Sequence, residues 1–313
     1  MNKKVVFMGT GPFALPILQG LTETEGIDLI AVYTKESKPA GRGMKVRRGA
    51  VEELALNADI PLYQVRTLRS DEAKNDFLAL QADLVVVASY GLILPSYVLH
   101  TPPFGCVNVH GSLLPKYRGA APIQRAVLDG ETQTGVTLMQ MDEGLDTGDI
   151  LCQKEYAIGP EDTAGDVFDA LALMGRDLLC ESLPAIFQKA LIPQKQDEVL
   201  STYASKIDHA DQSLDFSEHG KRIVDRIRAL SPRPNAICHL QKNGMLLKIH
   251  KASFIAGDFA GANGEIIAIK PNLLVRVADG ALSLMEIQPE GKRTMSASDI
   301  INGRVLALGD LLL

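Results

Sequence analysis

The sequence contains no tryptophan, and its aromatic residues amount to 5% of 313. So few rings argue against a platform on which bases of single-stranded nucleic acid stack one after another. There are only four cysteines (Cys106, Cys152, Cys180 and Cys238), with no C-x-x-C pair and no metal-ligand spacing. A disulfide scaffold and a zinc centre are both disfavoured, and reduced thiols fit the cytoplasm. Apolar runs of 18 residues are missing too, so no transmembrane helix is expected. The start, Met1 to Lys4 followed by Val5–Met8, breaks at once at Gly9, Gly11 and Pro12. It reads as a buried first strand rather than a secretory signal. A cytoplasmic monomer without membrane association or bound metal is the expectation.

Excess positive charge is also lacking. Lys and Arg number 32 against 38 Asp and Glu, a net charge of -6. Binding of nucleic acid through overall basicity is therefore excluded, although a local patch is not. Residues 1–200 carry 18 basic and 26 acidic side chains, net -8, whereas residues 201–313 carry 14 and 12, net +2. Two basic stretches stand out. Lys35–Arg48 holds Lys35, Lys38, Arg42, Lys45, Arg47 and Arg48 against Glu36 alone, and His219–Lys251 holds eight basic residues against Asp225. Either stretch alone reads equally well as a solvated face.

What is present is an ordinary globular composition, 46% hydrophobic and 22% charged, over a length that suits two domains. Short apolar runs at Lys4–Met8, Leu29–Tyr33, Asp83–Ala88 and Cys106–Val109 alternate with helical patterns at Phe13–Leu21, Gly49–Asn57 and Asp71–Leu80. That alternation predicts an α/β domain with a mostly parallel sheet. A long helix follows over 163–190. Residues 191–208 are polar and aperiodic and read as a linker. An amphipathic helix at Glu218–Leu230 then precedes five short strand-like segments separated by turns such as Asn243-Gly244 and Asp279-Gly280. These predict a small β-barrel. The expected division is 1–190, 191–208 and 209–313.

Gly9-Thr10-Gly11-Pro12-Phe13-Ala14 fits the G-x-G-x-x-G/A dinucleotide fingerprint. A nicotinamide enzyme would place an acid at the end of the second strand to hold the ribose. That strand ends Tyr33-Thr34-Lys35, so the loop reads as a tight strand-to-helix turn beside a substrate site.

The chemistry concentrates in Cys106–Pro115. Residues two apart on a strand share a face, so Asn108 and His110 project together while Val107 and Val109 pack inward. An amide and an imidazole side by side can donate hydrogen bonds to a carbonyl oxygen gaining charge. A satisfied polar strand end is the alternative for this pair taken alone. The second element, Met141–Asp149, holds four acids and two glycines in nine residues. One of those carboxylates beside His110 would bias its tautomer and accept a proton. The D-x-[DN]-x-[DN]-G spacing of a calcium loop is absent.

The run Asn108–Pro115, continued by Tyr117-Arg118-Gly119 and Pro122-Ile123, resembles the folate-dependent formyltransferases, as does Met141-Asp142 with Leu145-Asp146-Thr147-Gly148. The resemblance implies a Rossmann-like formyltransferase domain followed by a small OB-like β-barrel. It implies that Asn108, His110 and Asp146 are the catalytic trio, with no metal. It implies further that Ser112, Leu113, Leu114 and Pro115, with Tyr90 and Gly91, bind the donor 10-formyltetrahydrofolate. The Gly9–Ala14 loop, Pro39-Ala40-Gly41-Arg42-Gly43, Thr202–Ile207 and Ile301–Arg304 resemble the tRNA-directed members of that family. On that likeness the acceptor is the methionine α-amine of initiator tRNA, contacted by Arg42, Lys38, Lys45 and Lys206. An amino sugar nucleotide stays open as acceptor, because some sugar-directed members also have a second domain. Ser231–Asn235 and Asp215-Phe216 depart from the family's usual pattern, which carries tryptophan at both places.

Overall fold

The structure is a computed structural model describing residues 2–36, 39–40, 45–46 and 48–313. Its internal contacts divide the chain into two compact units. The first comprises Met1–Gly119, Gln133–Ala157 and Phe168–Ala204, and the second Ala120–Thr132, Ile158–Val167 and Ser205–Leu313.

The first unit begins with β1 (Lys3–Gly9), α1 (Ala14–Glu23), β2 (Ile27–Thr34), α2 (Ala50–Asn57), β3 (Leu62–Gln64) and α3 (Asp71–Leu80). β4 (Leu84–Ala88), α4 (Ser96–His100) and β5 (Cys106–His110) follow, then β6 (Gln133–Gln140) and β7 (Ile150–Ala157). Among the described residues these strands form one seven-stranded sheet in the order β7-β6-β5-β4-β1-β2-β3. β3, β2, β1, β4 and β5 run parallel, and β6 and β7 are antiparallel additions. The central strands β4 and β5 are buried at every position, as a sheet covered on both faces requires. Val6 and Met8 of β1 join Tyr33, Val85, Val87 and Tyr90 in one core cluster, while Val5 and Phe7, pointing the other way, are equally buried.

Strand order reverses between β1 and β4. At such a switch point, ligands bind beyond the carboxyl ends of the strands. Gly9 and Ala88 pair there, so the loops Thr10-Gly11 and Ser89-Tyr90-Gly91 leave the sheet side by side, with β5 ending next to them at His110. The long helix α6 (Ala164–Phe187) contains Gly175, where a Cβ would lie 2.8 Å from Val109 Cγ1. A larger residue would push the helix off the strand that carries Asn108 and His110.

The second unit contains α5 (Pro122–Leu128), α7 (Gly220–Leu230), β8 (Ala236–Leu240), β9 (Met245–Ala256), β10 (Ile266–Ala268), β11 (Leu273–Val277), β12 (Gly280–Pro289) and α8 (Ala297–Asn302). Its strands form an antiparallel sheet in the order β8-β9-β12-β11-β10. Leu312 bridges Leu240 on β8, and Leu311 bridges Glu265 beside β10, so residues 311–312 join the two edges and close the sheet on itself. Closure removes the exposed edges that open sheets must otherwise protect. Ile223, Ile227 and Leu230 of α7 are buried in the core of this unit, on the single face that the sequence periodicity indicates.

Residues 191–204 are bound to the first unit along much of their length. Gln194 bridges Ile150, and Tyr203-Ala204 pairs in parallel with Arg118-Gly119. The division at 191–208 remains our proposal for the domain boundary. The contacts add that the second unit takes two segments from earlier in the chain. Among the described residues no helix is long and apolar enough to cross a membrane, and no cluster of His, Cys, Asp and Glu could hold a metal. All four cysteines are free, and burial pushes the Cys106 and Cys238 thiols up to about 12, so neither is a ready thiolate.

Candidate active site

Asn108 and His110 lie on the same face of β5, and both are buried. They meet one carboxylate. Asn108 Nδ2 donates to Asp146 Oδ1 at 3.5 Å, and His110 Nδ1 lies 3.8 Å from the same oxygen. The other ring nitrogen, Nε2, is 3.0 Å from the carbonyl oxygen of Tyr117. A carbonyl only accepts, so Nε2 carries a proton. That hydrogen bond fixes the ring plane and leaves Nδ1 facing the site. Nδ1 can donate as well only when both nitrogens are protonated, and Asp146 is the charge that accompanies such an imidazolium.

The four acids of the 141–149 loop have separate tasks. Asp142 accepts from Gly144 N at 3.0 Å and from Thr147 Oγ1 at 2.8 Å, which holds the turn. Glu143 is exposed and pairs with His100 at 2.8 Å, and that hydrogen bond lowers its pKa below the usual carboxylate range. The main-chain oxygen of Asp149 accepts from Gln140 N. Only Asp146 reaches His110. Its φ of +54° is left-handed, a conformation Asp adopts more readily than most residues and one that turns its carboxylate toward β5. Asp146 Oδ2 then accepts from Gly119 N at 2.8 Å.

The segment expected to bind the folate donor is pinned from behind. Thr137 Oγ1 donates to Ser112 O at 2.6 Å and accepts from Leu114 N at 3.1 Å, while Gln153 Nε2 donates to Leu114 O at 2.9 Å. Ser112 is fully buried and its hydroxyl donates to Lys116 O at 2.7 Å. Leu114 is buried, and Leu113 and Pro115 are partly exposed. Tyr90 lies in the core, where burial raises its phenol above its ordinary value, and its hydroxyl has no hydrogen-bond partner among the described residues. At Gly91 φ is +67°, and a Cβ would lie 2.7 Å from Lys35 Nζ.

Sequence reasoning missed a second layer of residues. Arg118 is fully buried and forks onto Glu198, Nη1 to Oε2 at 2.9 Å and Nη2 to Oε1 at 2.7 Å. The Glu198 carboxylate raises the guanidinium pKa further, and Arg118 in turn lowers that of Glu198. Gln196 lies between Arg118 and the loop of Asp146. The run Tyr117-Arg118-Gly119 was visible within a motif, but nothing in the polar stretch around Gln196 marked it.

Of the residues expected to contact tRNA, Arg42 and Lys38 lie outside the described residues. The backbone of Lys45-Val46 pairs antiparallel with Pro39-Ala40, and Lys206 is exposed in the second unit. The basic stretch 219–251 is partly spent internally. Arg226, Arg228, Lys242 and Lys251 pair with Glu218, Asp225, Asp310 and Glu161, whereas Lys221, Arg222 and Arg233 are exposed.

The doubly wound sheet thus brings an amide, an imidazole and a carboxylate together at the carboxyl end of β5. Residues 3–183 match the family described as formyl transferase, and residues 206–305 match the formyl transferase C-terminal domain. The chain belongs to the formyl transferase family. It is similar to the methionyl-tRNA formyltransferase of Rhodopseudomonas palustris, at 42% identity over 309 residues covering 99% of each chain. A protein of the same name from Methylococcus capsulatus is 43% identical over 304 residues, covering 97% of this chain and 98% of that one. The fold resembles that of an N-formyltransferase from Helicobacter canadensis, solved with folinic acid and dTDP-3-aminofucose. That likeness has a TM-score of 0.65 at 21% identity and covers 91% of this chain and 99% of the other.

Proposed function

We propose that this enzyme transfers the formyl group of 10-formyltetrahydrofolate to the α-amine of methionine on initiator tRNA, for translation initiation. The observation that carries the reading is the convergence of Asn108, His110 and Asp146 on one point beside a pinned Ser112–Pro115 segment. Identity above 40% along nearly the whole length of proteins named for that reaction supports the choice of acceptor.

In this reading the neutral amine attacks the formyl carbon and a C–N bond forms. The carbonyl oxygen becomes an oxyanion that accepts from Asn108 Nδ2 and from His110 Nδ1–H. Asp146 balances the charge on His110 and takes the proton the amine loses. When the bond from carbon to the folate nitrogen breaks, that proton goes to the departing nitrogen. The products are a formamide and tetrahydrofolate, with no redox change. Ser112, Leu113, Leu114 and Pro115, with Tyr90 and Gly91, form the donor side. Ser112 contributes by holding the shape of its segment, since its hydroxyl is committed to Lys116 O. β2 ends at Thr34, and the first acid beyond it, Glu36, is paired with Arg66 at 3.1 Å.

Arg42, Lys38, Lys45 and Lys206 contact the tRNA in this proposal. Phosphate contacts release counterions, so affinity for methionyl-tRNA falls about tenfold per pair of contacts between about 50 and 200 mM salt. Replacing Arg42 by Ala shallows that dependence by about one contact's worth. Salt-insensitive binding, or an Arg42→Ala variant with unchanged affinity and slope, would contradict the assignment.

A further inference from the structure

We infer that Gln196 is a positioning residue for the transfer step, acting through the backbone of Asp146; the inference rests on the proposed role of that carboxylate. The Gln196 side chain reaches the 141–149 loop from 50 residues further along the chain, and its Nε2 donates to two main-chain oxygens there, Asp146 O at 2.8 Å and Gly148 O at 2.7 Å. A primary amide has two N–H groups, and both are used. Its Oε1 accepts twice from Arg118, from Nε at 3.0 Å and from Nη2 at 2.8 Å. Turning the amide over would set its NH2 against a guanidinium and its oxygen against two carbonyls. The orientation is therefore dictated by the partners on both sides, as the network test for amide flips requires.

The connection closes on itself. Arg118 lies between two backbone groups that hold the proposed trio, because Tyr117 O receives His110 Nε2 and Gly119 N donates to Asp146 Oδ2. Gln196 ties the side chain of that tripeptide to the carbonyls flanking Thr147. Asp146 is thus held at its carboxylate by Gly119 and at its main chain by Gln196, on either side of a left-handed residue with φ +54°. A non-glycine residue in that region persists only where its surroundings over-determine it. Gly148 permits the loop to lie against Gln140 O, where a side chain would collide. Gln196 touches no reacting atom. Its effect is on where the carboxylate stands relative to Asn108 and His110.

The test compares Gln196→Ala and Gln196→Glu in the full-length enzyme, in both the native and the Asp146→Asn background. It measures kcat, the KM of each substrate and the melting temperature. Glutamate matches glutamine in shape and still accepts from Arg118, but it offers no N–H to the two carbonyls. Both variants are expected to lose kcat, by about 100-fold for a displacement near 1 Å, with each KM within about twofold of native. In the Asp146→Asn background the same changes cost less than about threefold, since the residue they act through is already disabled. Native kcat in Gln196→Glu, or losses that multiply in the Asp146→Asn background, overturns the inference. If Asp146→Asn itself works normally, the role of Asp146 falls and this inference with it. If Asp146→Asn is impaired while both Gln196 variants are normal, only this inference falls. Should Gln196→Ala fail to fold, the near-isosteric Gln196→Glu carries the comparison.

Discussion

Replacing Asn108 by Ala is expected to lower kcat for formyl transfer by about 100–1000-fold, the usual cost of removing one donor to a developing oxyanion. The tetrahedral intermediate carries its charge on the former formyl oxygen, and Asn108 Nδ2 faces the point where His110 Nδ1 and Asp146 also converge. In the structure that amide makes one long bond, 3.5 Å to Asp146 Oδ1, so it is weakly committed and available to a stronger acceptor. The neighbours Val107 and Val109 anchor β5 on its other face, and Asn108 adds nothing to that packing. The melting temperature of Asn108→Ala is therefore expected to stay near native and KM to change little, because the interaction forms only as charge develops. A variant with native kcat would remove Asn108 from the mechanism. A variant that is merely unstable would make it a structural residue.

Asp146→Asn is expected to lower kcat by about 100–10,000-fold, the range for losing a positioned proton acceptor. Asparagine preserves the shape and tolerates the left-handed backbone, so the loop and its Gln196 contacts are retained. Two functions go. The amide no longer balances a positive His110, and it cannot take the proton from the attacking amine. One of its two terminal positions must also present N–H groups, either to Gly119 N, which currently donates at 2.8 Å, or toward Asn108 and His110. Pre-steady-state transfer is the appropriate measurement, because it separates the chemical step from product release. Native single-turnover rates in Asp146→Asn would eliminate the carboxylate as acid or base.

Four of the five parallel strands were legible as apolar runs separated by helical patterns, whereas β3, three half-buried residues at the sheet edge, was not. α3 runs over Asp71–Leu80, where the periodicity predicts it. β6 and β7 were not legible. β7 is an edge strand with exposed Gln153, Lys154 and Glu155, and the sequence QTGVTLMQ of β6 carries a glycine and polar ends. A sequence pattern shows which residues are apolar, and an edge strand needs few of them. Closure of the second sheet by residues 311–312 was hidden for a related reason, since it depends on main-chain pairing rather than on side-chain type.

The same distinction runs through the site. Asn108 and His110 were legible as a pair because strand geometry puts alternate residues on one face. Spacing alone could not say which of the four loop acids serves them, since carboxylates look alike in a sequence. In the structure Asp142 holds its own turn, Glu143 pairs with His100, and of the four only Asp146 reaches His110. Gln196 gave no signal, because its importance lies in two carbonyls and a guanidinium brought to it by the fold.

A formylation assay that offers both acceptors at once identifies the substrates of this enzyme. Wild-type enzyme is supplied with 10-formyltetrahydrofolate carrying a labelled formyl group, together with methionyl initiator tRNA and an amino sugar nucleotide at equal concentration. Label is expected in N-formylmethionine on the tRNA, with the sugar nucleotide unmodified. Label in the sugar nucleotide, or none in either acceptor, would overturn the assignment of methionyl-tRNA as the acceptor.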